Sequence, residues 1–242
     1  MSKGTIYGVG LGPGDPDLMS VRADRLVRGA RHVAFFRKKG RPGQARRIVA
    51  GLLRADAQEF AMEYPVTTEI SITDPRYNAI LSEFYAGCAA RLLAWSAEGE
   101  DVVVLCEGDP FFYGSFMHLH TRLVDRAPVE VVPAITSMSG AWMAIGAPFT
   151  WGDDVLTVLM GTLPEAELQR RMADTDALVV MKIGRHFEKV CRALRDAGKY
   201  AEALLVEHAT MPNQMIRPLA EVDGNVVPYF SIILVPGRGR RP

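Results

Sequence analysis

Four stretches of this chain gather the residue types that bind and react. Residues 4–20 read GTIYGVGLGPGDPDLMS, residues 106–115 read CEGDPFFYGS, residues 133–141 read PAITSMSGA and residues 207–214 read EHATMPNQ. Each follows an apolar run and is rich in Gly, Pro, Ser or Thr. Loops of this kind bring backbone N–H and C=O groups close to a ligand. None of the four carries Lys or Arg, so phosphate is a poor match. A ligand with an amino acid moiety and a purine, held through many neutral hydrogen bonds, suits them better.

The opening stretch imitates a nucleotide loop and fails the templates. Glycines stand at 8, 10, 12 and 14. The dinucleotide pattern G-x-G-x-x-G needs a third glycine, and the chain offers Pro13 or Asp15 there. A phosphate-binding P-loop ends in G-K-[ST], whereas Gly14 precedes Asp15-Pro16. Pro13 and Pro16 have no N–H to give an anion, and Asp15 and Asp17 repel one. The stretch is built to turn sharply between a strand and a helix starting near Ser20.

The other tempting side chains have plainer readings. His118 and His120 lie two apart in a helical pattern and face different ways. His208 follows Glu207 at a strand end, and His186 follows Arg185 at a helix start. The run Arg37-Lys38-Lys39-Gly40-Arg41 reads either as a solvated loop or as a basic rim for an acidic ligand. Asp109, in an Asp-Pro step, reads as a turn residue when taken alone.

The elements that must position these stretches alternate. Strands are predicted at Thr5–Val9, His32–Phe36, Val102–Cys106, Val129–Pro133, Val155–Met160, Ala177–Lys182, Ala203–His208 and Tyr229–Val235. VVVLC at 102–106 has no polar alternation, which predicts a strand buried on both faces. Tyr77, Leu81, Phe84, Cys88, Leu92 and Trp95 recur at three and four residues and predict a helix over Tyr77–Ala97. Ser20 is the expected N-cap of a helix through Arg28. Pro164-Glu165-Ala166-Glu167 is the expected acidic first turn of another. Alternating strands and helices imply α/β architecture with largely parallel sheets. A seam near VVPAITS predicts two α/β domains, 1–134 and 135–242, with one large domain as the alternative.

Bulk composition narrows the function. Of 242 residues, 48% are hydrophobic and 23% charged, ordinary for a globular protein, and the formal net charge is zero. Wholesale nucleic-acid binding needs a basic surplus and is not expected. Cys88, Cys106 and Cys191 are far apart, odd in number and at no metal spacing. No metal site and no disulfide framework are expected, and a reducing cytoplasm fits. No apolar stretch reaches the ~18 residues of a membrane span, and Met1–Gly4 lacks the apolar region of a signal peptide.

Read in order, G-x-G-P-G-D, G-D-P-x-x-Y-G, P-x-x-T-S and A-T-x-P-x-Q resemble the tetrapyrrole methyltransferase family, over about Gly4 to Pro236. EGDPFFYGSFMHLH and VVMKIGRHF resemble the branch that acts at C20 of precorrin-2 on the way to cobalamin. The resemblance implies the class III methyltransferase fold: two α/β domains with the active site in the cleft between them. It implies S-adenosyl-L-methionine as cofactor, S-adenosyl-L-homocysteine as its product, precorrin-2 as substrate and precorrin-3A as the methylated macrocycle. Carried over by motif, the cofactor residues are Pro13, Glu107, Gly108, Asp109, Phe112, Thr136, Ser137, Met181, Lys182, Ala209 and Thr210. The Asp109 carboxylate suits a sulfonium cation. Gly14, Asp15, Arg37, Lys38, Tyr113 and Arg185 would meet the macrocycle. The family usually pairs, so a homodimer is expected. Methylated C20 must lose its proton, and no base is named by the motifs. The alternatives are cobalt-precorrin-2 as substrate, another acceptor within the family (a different macrocycle carbon or a protein histidine), and a non-catalytic adenosine sensor.

Overall fold

The computed structural model describes residues 2–66, 74–224 and 226–239. The chain forms two compact units, Met1–Thr136 and Ser137–Pro242.

The first unit runs β1 (Ile6–Gly10), α1 (Val21–Gly29), β2 (His32–Lys38), α2 (Gln44–Ile48), β3 (Gln58–Tyr64), α3 (Pro75–Ala97), β4 (Val102–Cys106), α4 (Phe116–Leu123) and β5 (Val129–Val132). Its sheet has the order β3-β2-β4-β1-β5, and every pairing is parallel. All five residues of β4 are buried, as its unbroken apolar run demands. Val102 and Val104 face α3 and α4, meeting Leu92, Trp95 and Leu119. Val103 and Leu105 face α1 and α2, meeting Val27 and Ile48. Ser20 caps α1 by accepting the Ala23 N–H at 3.1 Å. Asp74 caps α3, with Pro75 at its first position. The buried face of α3 includes Tyr85 and Ala89 beside the expected Cys88, Leu92 and Trp95.

The second unit runs α5 (Ser137–Ala144), β6 (Leu156–Met160), α6 (Glu165–Ala173), β7 (Ala177–Met181), α7 (Phe187–Asp196), β8 (Leu204–Glu207), β9 (Met215–Pro218) and β10 (Ser231–Val235). Here the expectation of largely parallel sheets fails. The order is β6-β7-β10-β8-β9. Only β6 and β7 pair in parallel; β10 is antiparallel to β7 and β8, and β9 to β8. The reason is the connections: after β8 no α-helix intervenes, and short links return antiparallel. α6 and α7 cover one face and α5 the other. Among the described residues no helix is long and apolar enough to cross a membrane.

Candidate functional site

Parallel pairing brings the C-terminal ends of all five first-unit strands to one edge. The loops leaving β1, β4 and β5 are fastened together there. The Leu11 N–H donates to the Cys106 carbonyl at 3.0 Å, and the Gly108 N–H to the Gly12 carbonyl at 2.8 Å. A Cβ on Gly10 would stand 2.6 Å from the Ala134 Cβ and 2.9 Å from the Gly108 oxygen. Gly12 and Gly108 hold φ of +82° and +62°, a left-handed backbone that glycine alone adopts freely. The alternate glycines of the opening stretch thus serve close approach and turning.

Asp109 is the clamp of this cluster. Its Oδ1 accepts the Phe111 N–H at 2.9 Å, and its Oδ2 accepts the Ala134 N–H at 3.0 Å. Both carboxylate oxygens therefore hold backbone, one in its own loop and one in the loop after β5. Glu107 differs. It keeps solvent-accessible surface, yet protein surrounds it closely enough that desolvation pushes its carboxyl up to about 7, opposed only by the Ala45 N–H. Pro13 and Gly14 are buried, and Asp15 accepts the Asp17 N–H at 2.9 Å to cap a short turn at Pro16–Leu18. Phe112 is half-buried, while Phe111, Tyr113 and Ile135 expose apolar surface. Arg37 reaches the same edge but is engaged: its Nε and Nη2 donate to Glu63 Oε1 at 2.9 and 2.6 Å. Lys38, the last residue of β2, is exposed.

In the second unit β10 is antiparallel to both β7 and β8, so β6, β7 and β8 run the same way. Their ends put Gly161, Met181–Lys182 and His208–Thr210 at one edge. Burial lowers the Lys182 ammonium pKa. Arg185 is exposed on the turn Gly184–His186, and burial also lowers His186. Beneath the loop after β8, Glu207 is 5% exposed and paired with Arg217 at 3.1 Å. The Thr210 N–H donates to Gln214 Oε1 at 2.7 Å, and the His208 N–H to the Phe230 carbonyl at 2.8 Å. Thr136 ends the first unit; Ser137 opens the second and begins α5.

Backbone strain singles out the same loops. Among the described residues the non-glycine residues with positive φ are Tyr113, Lys182, His208 and Thr210, at +51° to +63°. Such conformations cost of order 1–3 kcal/mol each and gather at ligand sites. Tyr113, His208 and Thr210 lie in stretches singled out in the sequence, and Lys182 directly follows β7. Two features were missed. Gly161 lies where a Cβ would meet the Lys182 oxygen at 3.0 Å; its signal was a glycine directly after an apolar strand. Tyr229, 79% exposed, precedes β10 at the same edge, but the apolar run Tyr229–Val235 absorbed it into a strand that begins at Ser231.

The remaining reactive groups are structural. His118 packs on Tyr85 at 4.7 Å, and His120 meets the Phe111 ring at 4.9 Å. Burial raises the thiols of Cys88 and Cys191 to about 11 and pushes Cys106 higher still. Among the described residues no three His, Cys, Asp or Glu side chains form a metal cage. What remains on the first unit is a surface of backbone amides and apolar side chains, with one carboxyl raised to about 7. Such a surface can orient two reactants for group transfer.

Known proteins resemble this chain in sequence and in fold. A family model described as Tetrapyrrole (Corrin/Porphyrin) Methylases matches residues 5–223. A Sinorhizobium protein named precorrin-2 C(20)-methyltransferase is 50% identical over 99% of this chain and 98% of its own. A Salmonella typhimurium cobalt-precorrin-2 C(20)-methyltransferase is 30% identical over 96% of each chain. The structure of a uroporphyrin-III C-methyltransferase from Thermus thermophilus, complexed with S-adenosylhomocysteine, matches at TM-score 0.66 and 26% identity, covering 96% of this chain and 97% of that one.

Proposed function

Since this chain belongs to the tetrapyrrole (corrin/porphyrin) methylases, we propose that it methylates C20 of precorrin-2, giving precorrin-3A in cobalamin biosynthesis, with S-adenosyl-L-methionine as methyl donor. The observation that carries this reading is the 50% identity, end to end, with a relative of that name, against 30% with the relative named for cobalt-precorrin-2.

The residues present fit the cofactor. The loops after β1, β4, β5 and β8 offer neutral backbone groups and no Lys or Arg, which suits an amino acid moiety and a purine. Bound there, the cofactor supplies an electrophilic methyl group on a cationic sulfur. The candidate cofactor residues are Pro13, Gly108, Phe112 and Thr136 on the first unit and, taken separately, Ser137, Met181, Lys182, Ala209 and Thr210 on the second. Asp109 acts through the loops it fastens. Exposed Phe111, Tyr113 and Ile135 suit the apolar face of a macrocycle, and Lys38 and Arg185 its carboxylates. Arg37 is a weaker candidate because Glu63 already holds it. The chemistry asks mainly for alignment, and orientation alone can supply ~7–11 kcal/mol.

We further propose a cytoplasmic homodimer, for which light scattering should give twice the 26.6 kDa chain mass. The test of function is incubation with methyl-labelled cofactor and either metal-free or cobalt-loaded precorrin-2. Label should enter the metal-free substrate faster. Preference for the cobalt form would move the chain to the other branch, and cofactor binding without transfer to either would make it a sensor.

A further inference from the structure

We propose that the Glu107 carboxylate is the base that removes the C20 proton once the methyl group has arrived. The inference deepens the C20 reading and rests on it. Methylating a carbon that already bears hydrogen leaves both substituents on it. The S–CH3 bond breaks with its electron pair going to sulfur, and the new C–C bond uses a pair from the macrocycle. The C20–H bond must then break, returning its pair to the ring, and the proton needs an acceptor.

The place of Glu107 fits the task. In the order β3-β2-β4-β1-β5, neighbours β1 and β4 send their connections in opposite directions and over opposite faces, α1 against one and α4 against the other. Ligands of open α/β sheets bind in the crevice at such a switch point. Glu107 is the first residue beyond β4 there, and it keeps exposed surface through which a proton can pass to water. Asp109, two residues on, has both oxygens committed to backbone N–H groups. Cys106 directly precedes it and Asp109 lies on its own loop, and the Ala45 N–H that it accepts belongs to α2, which carries Arg46 and Arg47. Arg37 is held by Glu63 and Arg46 by Glu59, and the Glu107 carboxyl is governed by desolvation against the Ala45 N–H. A base poised near the working pH transfers protons most effectively.

The experiment compares wild type, Glu107→Gln and Glu107→Asp, using precorrin-2 deuterated at C20. Three readouts are taken: S-adenosyl-L-homocysteine affinity by calorimetry, the carboxyl titration of the free enzyme as a wild-type minus Gln infrared difference, and turnover across pH. The expected result is a carboxyl titrating near 7 in the difference and little change in affinity. In Gln, kcat should fall ~10²–10⁴-fold, the size of a lost acid–base group. Gln should also gain a primary isotope effect that wild type lacks, and lose the acidic limb of the pH profile. Asp, which keeps a carboxylate at shorter reach, should recover part of the rate and the limb. A Gln variant with wild-type rate and pH profile overturns the proposal. So does parallel loss of affinity and rate without an isotope effect, which would make Glu107 a cofactor ligand only. Wild type that transfers no methyl to precorrin-2 overturns this reading and its parent together, whereas wild-type turnover with an unchanged Gln variant removes this one alone.

Discussion

Replacing Asp109 tests whether the β4 and β5 loops are one structure or two. Its carboxylate accepts one hydrogen bond from Phe111 at the surface and one from Ala134 in a half-buried position. A hydrogen bond to a charged group contributes about 1.5–3 kcal/mol, and a part-buried N–H left without a partner costs about 1–3 kcal/mol. The exposed bond belongs at the low end. Asp109→Ala should therefore cost about 3 kcal/mol, most of it from the orphaned Ala134 N–H. Asp109→Asn keeps one acceptor oxygen and should cost about half as much. At roughly 2–4 °C per kcal/mol for a chain of this size, the Ala variant should melt about 6–12 °C lower by calorimetry. S-adenosyl-L-homocysteine should bind more weakly to it, because the loops no longer share a frame. An Ala variant that melts with wild type while losing affinity would refute the clamp and return Asp109 to direct contact with the cofactor.

Gly10→Ala should be worse than ordinary overpacking, which costs about 1–3 kcal/mol, because its Cβ would lie 2.6 to 2.9 Å from Ala134, Gly108 and Pro110; soluble yield and melting temperature read it. Glu107→Gln should leave stability unchanged near pH 4.5 and raise it at pH 8. A carboxyl raised to about 7 in the fold contributes stability that is full below its ordinary pKa and lost as pH rises through 7, and Gln removes that loss. Thr210→Gly should melt no lower than wild type, since relief of φ +63° offsets the roughly 0.5–1 kcal/mol entropy of glycine, yet it should bind cofactor less well, as calorimetry would show.

How far the sequence speaks depends on where information sits along the chain. β4 was legible because a strand buried on both faces can carry no polar residue. β3 and β9 were not: they lie at sheet edges, where Gln58, Glu59 and Glu63 or a closing Pro218 are tolerated. Strand direction left no trace either, because alternation is the same in both senses, so the antiparallel β10 came as a correction. The site loops were legible from Gly and Pro crowded at strand ends. The partners of their charged residues were not. Asp109 acts on Ala134, 25 residues away. Arg37 is neutralised by Glu63 through a register, Arg37 opposite Glu63, on the very strand that periodicity missed.

The position of β10 has a consequence for biosynthesis. Every strand of the first sheet has been translated by Val132, so that unit can close while the rest is still being made. The second sheet cannot close in the same way. Its last-made strand is inserted between β7 and β8 and buried at all five residues. Until β10 is made, β7 and β8 have no common neighbour and the edges that pair with it stay open, the state in which nascent chains aggregate. A stop placed just before Ser231 should therefore release a folded first unit tethered to a chaperone-bound, protease-sensitive second half.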